Sequence, residues 1–137
     1  MAAIKSSHTK PEIQVRKAMH AAGLRFRLHV RDLPGKPDLV FPKYNAVIFV
    51  NGCFWHHHDC HLFKWPRTRK EFWRAKIDRN AANDERAKAA LSDAGWRVAT
   101  VWECALKGKT RLDGQHGMRE LAEWIPSDQQ TITIRGQ

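Results

Sequence analysis

Ala46-Val47-Ile48-Phe49-Val50 is an unbroken apolar run with no polar face, closed by the turn pair Asn51-Gly52. A strand without a polar side has to be covered on both faces, which in one chain of 137 residues calls for helices packed on a sheet. The rest of the chain supplies those parts. Thr9-Lys10-Pro11-Glu12 has the pattern of a capping box with proline in the first turn. Ile13, Val15, Ala18, Met19 and Ala22 then give a helix its apolar face, and Gly23 ends it. Leu24, Phe26, Leu28 and Val30 alternate with Arg25, Arg27 and His29, as in a half-buried strand with a basic outer face. Leu33 to Pro37 is a loop, and Asp38 to Phe41 starts a second strand.

Thr68-Arg69-Lys70-Glu71 reads as another capping box, opening a long helix that runs to about Ala94 and stops at Gly95. Trp96 to Trp102 predicts a fourth strand, Leu106 to Thr110 a loop, and Gly117 to Trp124 a last helix. The order α-β-β-β-α-β-α is that of a small α/β domain with helices on the faces of a central mixed sheet. One domain is expected over residues 1–137, with residues 125–137 a mobile tail that is polar from Ser127 onward.

Charge narrows the partners. The chain carries 24 Lys+Arg against 14 Asp+Glu, a net charge of +10. That points to a polyanion, nucleic acid before membrane; the bland alternative is a basic soluble protein. No stretch approaches the ~18 apolar residues of a membrane span, and the N-terminus lacks the apolar core of a signal peptide. A cytoplasmic protein with reduced cysteines is therefore expected.

Directly after the apolar run, two cysteines, four histidines, an aspartate, a phenylalanine and a tryptophan fall within the nine residues from Cys53 to His61. Cys53, His58 and Cys60 are spaced to reach one ion, and Cys104 is the only other cysteine. Cys₃His is a closed tetrahedral zinc set of the structural kind. Apparent zinc affinities of ~10–16 kcal/mol are ample to fix a loop that has no core of its own. Three buried thiols are the alternative. The spacing matches no common zinc finger, and a metallo-hydrolase HxHxDH pattern fails because Asp59 comes one place early.

Pro37-Asp38 opens one strand and Val50 closes the next, so a hairpin would bring the two positions together. A carboxylate at Asp38 with the main-chain carbonyl of Val50 can hold magnesium through oxygen ligands, polarise a phosphodiester and activate a water. This is the Pro-Asp…(Asp/Glu)-x-Lys nuclease layout with its second half replaced, although Pro-Asp also simply initiates turns. Glu12 has a sufficient role as a capping-box residue. Asp84 is different. It lies on the stripe of Trp73, Ile77, Asn80, Ala87 and Leu91, where a buried carboxylate needs a partner, either a histidine or an arginine.

Taken together, Pro37-Asp38, Val47 to His56, Cys60, Glu71-Phe72-Trp73, Gly95 to Val98 and Val101-Trp102-Glu103-Cys104 resemble the very short patch repair (Vsr) endonucleases. The likeness runs from about Ile4 to Gly108, and the GCFWH element with its later WEC is highly specific. It implies a fold similar to type II restriction endonucleases. The implied activity is magnesium-dependent nicking of double-stranded DNA on the 5′ side of the thymine in a T:G mismatch, the product of deaminating 5-methylcytosine. It further implies that Asp38 is the magnesium carboxylate with the Val50 main-chain oxygen beside it, and His56 the base that takes a proton from the attacking water. Glu12 would act through a magnesium-bound water and Asp84 by orienting a histidine. Cys53, His58, Cys60 and Cys104 would bind structural zinc. Phe54, Trp55 and Trp73 would wedge into the stack beside the mismatch, where unstacking costs least; their default role is core packing. Asn51 stands where the best-known members carry histidine, which alters a secondary metal–water contact. The chain begins close to where the likeness begins, so an N-terminal DNA-gripping arm is expected to be short or missing.

Two rivals stay open on residues alone. One is a zinc-pinned DNA-binding module without catalysis, for which Asp38 would be dispensable. The other is a restriction-type or structure-specific nuclease on the same fold, which would cut matched DNA or flaps. One catalytic site and an asymmetric mismatch suggest a monomer.

Overall fold

The computed structural model describes residues 10–52, 66–106 and 116–136. In chain order the elements are α1 (Lys10–Ala21), β1 (Arg27–Leu28), β2 (Leu39–Phe41), β3 (Ala46–Asn51), α2 (Lys70–Asp93), β4 (Arg97–Trp102), α3 (His116–Trp124) and β5 (Thr131–Ile134). The five strands form one mixed sheet whose spatial order, β1-β2-β3-β4-β5, is also the chain order. β1, β2 and β3 are antiparallel neighbours, whereas β3–β4 and β4–β5 are parallel.

The apolar run of β3 is covered on both sides, as its composition requires. Ala46 and Ile48 point into the larger core with Val15 and Met19 of α1 and with Met118, Leu121 and Trp124 of α3. Val47 points the other way, into a smaller core with Val40, Val98 and Leu91 of α2. α2 is anchored thinly: of its 24 residues only Ile77 and Leu91 are buried. Among the described residues no helix is long and apolar enough to cross a membrane.

Three expectations change. The strand read over Leu24 to Val30 shortens to Arg27–Leu28, because His29 takes a left-handed backbone (φ 50) that breaks the alternation. The segment read as a polar tail contains β5, which pairs in parallel with β4 from Val98↔Thr131 to Val101↔Ile134 and buries Ile134. At α2 the cap position belongs to Arg69 in a left-handed conformation without a side-chain cap bond, so the Thr68 capping box does not form.

The loop before β2 is tied to α2 at Gly35. Its φ is +73, and a Cβ there would stand 2.7 Å from the Ala87 Cβ and 3.1 Å from the Phe49 ring. Gly35→Ala is therefore expected to lose about 2–4 kcal/mol from left-handed strain and overpacking together. Urea unfolding of the variant measures it; a midpoint equal to wild type would mean that α2 yields without cost.

Candidate active site

The charged groups gather where α1 meets the end of the β2–β3 hairpin. Hairpin geometry brings Asp38 and Val50 together as the spacing predicts: the Val50 N–H donates to Asp38 Oδ2 at 2.7 Å, and the Asp38 N–H donates to the Ile48 carbonyl at 3.0 Å. Glu12 reaches the same place from the first turn of α1. It is 1% exposed, so its charge must be compensated. Arg16, one helical turn on, donates to Glu12 Oε2, and His29 Nε2 lies 2.9 Å from that same oxygen. Glu12 is thus much more than a capping residue.

Glu12, His29 and Asp38 each present a ligand atom, and the three atoms lie within 4.8 Å of one another. Crowding two carboxylates in a half-buried recess has an electrostatic consequence. Asp38 is pushed up from 3.8 to about 7, chiefly by burial and further by the neighbouring Glu12 carboxylate, against the opposing pull of the Val50 N–H. A divalent cation would relieve that excess of negative charge, and oxygen donors with one imidazole form a chemically suitable set for one.

His29 is the member that alternation in the sequence misassigns, since it reads as an outer-face residue of a basic strand. No signal in the sequence marks it; the pairing register does. Arg27↔Val40 and Leu28↔Leu39 put His29 opposite Asp38, and the His29 N–H donates to the Asp38 carbonyl at 3.2 Å.

The other expected site residues are placed less closely or fall elsewhere. Asp84 is half-buried on α2, along the stripe with Ile77 and Leu91 as expected, and it is not a member of the Glu12–His29–Asp38 group. Trp73 is half-buried, and its ring meets that of Phe72 edge to face at 5.2 Å. Phe72 is the more exposed of the pair at 43%, with the Arg69 guanidinium 4.1 Å from its ring centre. Cys104 is fully buried, and its Sγ accepts the Gly136 N–H at 3.2 Å. Cys53, Phe54, Trp55, His56, His58 and Cys60 lie outside the described residues.

Comparison with known proteins places the chain in a family. A family model described as DNA mismatch endonuclease Vsr matches residues 1–62. The type II nicking enzyme V.XorIIP of Xanthomonas oryzae pv. oryzae is 48% identical over 115 residues, covering 84% of this chain and 85% of that protein. DNA mismatch endonuclease Vsr of Escherichia coli is 46% identical over 125 residues, covering 91% of this chain and 80% of that protein. The type II nicking enzyme V.NmeAIP of Neisseria meningitidis is 41% identical over 109 residues, covering 80% and 78% respectively. With identity at that level along most of its length, the chain belongs to the Vsr family of DNA mismatch endonucleases.

Proposed function

We propose that this protein is a magnesium-dependent endonuclease that nicks one DNA strand on the 5′ side of the thymine in T:G mismatches, acting as a monomer in the bacterial cytoplasm on a restriction-endonuclease-like fold. The observation that carries the proposal is the convergence of Asp38, Glu12 and the Val50 main chain at one end of the sheet. A pure DNA-binding module has little use for two carboxylates facing a polyanion.

The residues fit the cation that the chemistry needs. Asp38 would hold it with the Val50 carbonyl, which projects to the same strand edge as the Val50 N–H already bonded to Asp38. When bound, magnesium supplies charge stabilisation to the phosphodiester and makes water a better nucleophile at neutral pH. The protein does the rest. Asp38 keeps its carboxylate fixed by the Val50 N–H. Glu12 orients water at the site, itself held by Arg16. His56 takes the proton from the attacking water, and Asp84 orients a histidine. Phe54, Trp55 and Trp73 form the wedge that opens the stack at the mispair. Support for Trp73 is its position in an aromatic pair at the start of α2, only half-buried. Cys53, His58, Cys60 and Cys104 are proposed as structural zinc ligands.

The decisive assay is nicking of a labelled duplex with a single T:G mismatch, placed in several cytosine-methylation contexts, in magnesium, with matched T:A controls. A nick beside the thymine, abolished in Asp38→Ala and His56→Ala, is expected. Binding without a nick would leave a DNA-binding module, and cutting of matched duplex would leave a nuclease without the repair role.

A further inference from the structure

We infer that His29 is a ligand, through Nε2, of the cation that Asp38 holds, and that the site consequently binds Mn²⁺ more tightly than the magnesium with which it nicks. This rests on the nuclease reading above and adds a ligand to its metal site. Position comes first. His29 lies opposite Asp38 across the β1–β2 ladder, with its N–H on the Asp38 carbonyl at 3.2 Å. Its left-handed backbone (φ 50) breaks the alternation that would have kept the imidazole on the outer face with Arg25 and Arg27. The ring lies instead against Glu12, its side chain 27% exposed beside a carboxylate that is 2% exposed.

Distance comes second. Neighbouring ligands on an octahedral ion with bonds of ~2.1 Å stand ~3.0 Å apart. The donor atoms of His29, Glu12 and Asp38 all lie within 4.8 Å of one another, so His29 and Asp38 can reach one ion while Glu12, 2.9 Å from His29 Nε2, meets it through a bound water. Ligation requires the tautomer with its hydrogen on Nδ1, which leaves the Nε2 lone pair on the site.

A hydrogen bond that merely orients Glu12 is the competing role for His29. Glu12 Oε2 also has the Arg16 guanidinium, so Glu12 keeps a charged partner when the imidazole turns its lone pair to the cation. The imidazole adds a nitrogen donor, which the other residues of the group lack. Donor type decides metal choice: magnesium prefers oxygen and demands strict geometry, whereas manganese accepts imidazole alongside carboxylates.

The test is Mn²⁺ binding to the full-length protein dialysed free of magnesium with its zinc retained, followed by electron paramagnetic resonance with pulsed detection of nitrogen coupling. Wild type is expected to show histidine nitrogen coupled to the bound Mn²⁺, with couplings that change on ¹⁵N-histidine labelling, a measurement that needs no variant. In His29→Asn, whose asparagine tolerates the left-handed backbone but is too short to ligate, the coupling disappears. Its Mn²⁺ affinity is expected to fall by about 10-fold or more, while Mg²⁺ affinity, read by competition, falls much less. Absent nitrogen coupling in wild type, coupling that persists in His29→Asn, or equal weakening of both ions would overturn the ligand assignment. Asp38→Asn separates the two levels of the proposal. If it leaves Mn²⁺ binding intact, the placement of the cation itself is wrong. If it abolishes binding and wild type nicks T:G duplex without nitrogen coupling, only His29 is misassigned.

Discussion

Asp38→Asn is expected to abolish nicking and, in the metal-free protein, to raise stability above neutral pH. The loss of activity should be on the order of 10³-fold or more, because the charge stabilisation a held cation provides is worth several kcal/mol. The gain in stability follows from the environment of Asp38. Burial first, and then Glu12, raise its pKa from 3.8 to about 7, so the folded protein keeps a proton there that the unfolded chain has already released. A raised pKa contributes stability that is complete below pH 3.8 and is lost as the pH rises through about 7. Asparagine does not titrate, and its amide oxygen can still accept the Val50 N–H. Urea unfolding in EDTA should therefore find the two proteins close at pH 5 and the variant ahead by ~2 kcal/mol at pH 8. Added magnesium should stabilise wild type and leave the variant unmoved. A variant less stable than wild type at pH 8 in EDTA would show that the carboxylate is a structural asset and remove the electrostatic case for a cation.

A second large effect is expected at the opposite end of the sheet, away from the Glu12–His29–Asp38 group. Arg97 opens β4 and gathers three segments of chain. Nη1 donates to the Trp124 carbonyl at 3.2 Å and the Gln129 carbonyl at 3.1 Å, and Nη2 to the Tyr44 carbonyl at 3.1 Å and to that of Ile125. Its guanidinium lies 4.6 Å from the Trp124 ring centre. The Trp124 carbonyl also accepts from the Ser127 N–H at 2.9 Å and from the Ser127 hydroxyl at 2.7 Å, so the loss of Arg97 falls chiefly on the other three carbonyls. Arg97→Ala should cost about 3–4 kcal/mol and Arg97→Lys about 2 kcal/mol, since one ammonium cannot reproduce the planar fork. Both variants should still nick a T:G duplex at temperatures where they remain folded. An Arg97→Ala loss under about 1 kcal/mol would mean that water satisfies those carbonyls equally well.

Which parts could be read in advance follows from what each depends on. β3 was legible because five apolar residues in a row admit few placements, and the Asp38–Val50 contact followed from strand length and a short connection alone. The stripe that carries Asp84 was legible because helical periodicity extends over the whole of α2. His29 was not, since a single left-handed residue reverses the face on which a side chain lands, and nothing in Leu-His-Val announces that turn. β5 was equally silent. Thr131-Ile132-Thr133-Ile134 alternates, but its exposed threonines and polar flanks resemble a tail until β4 supplies a ladder. The start of α2 was misplaced by one residue because Thr68 has the better capping chemistry and the backbone turns at Arg69 instead.

The identity of spatial and chain order in the sheet bears on how the protein is born. β2 and β3 are separated by only a short turn, so their pairing closes little chain and carries a small entropic cost. β3 and β4 must wait for residues 52–96 to be made and looped back, the slower kind of pairing. Glu12, His29, Asp38 and Val50 all precede that loop. On the ribosome, the carboxylates and the imidazole therefore emerge first, ahead of the parallel strands that lock the hairpin into its sheet.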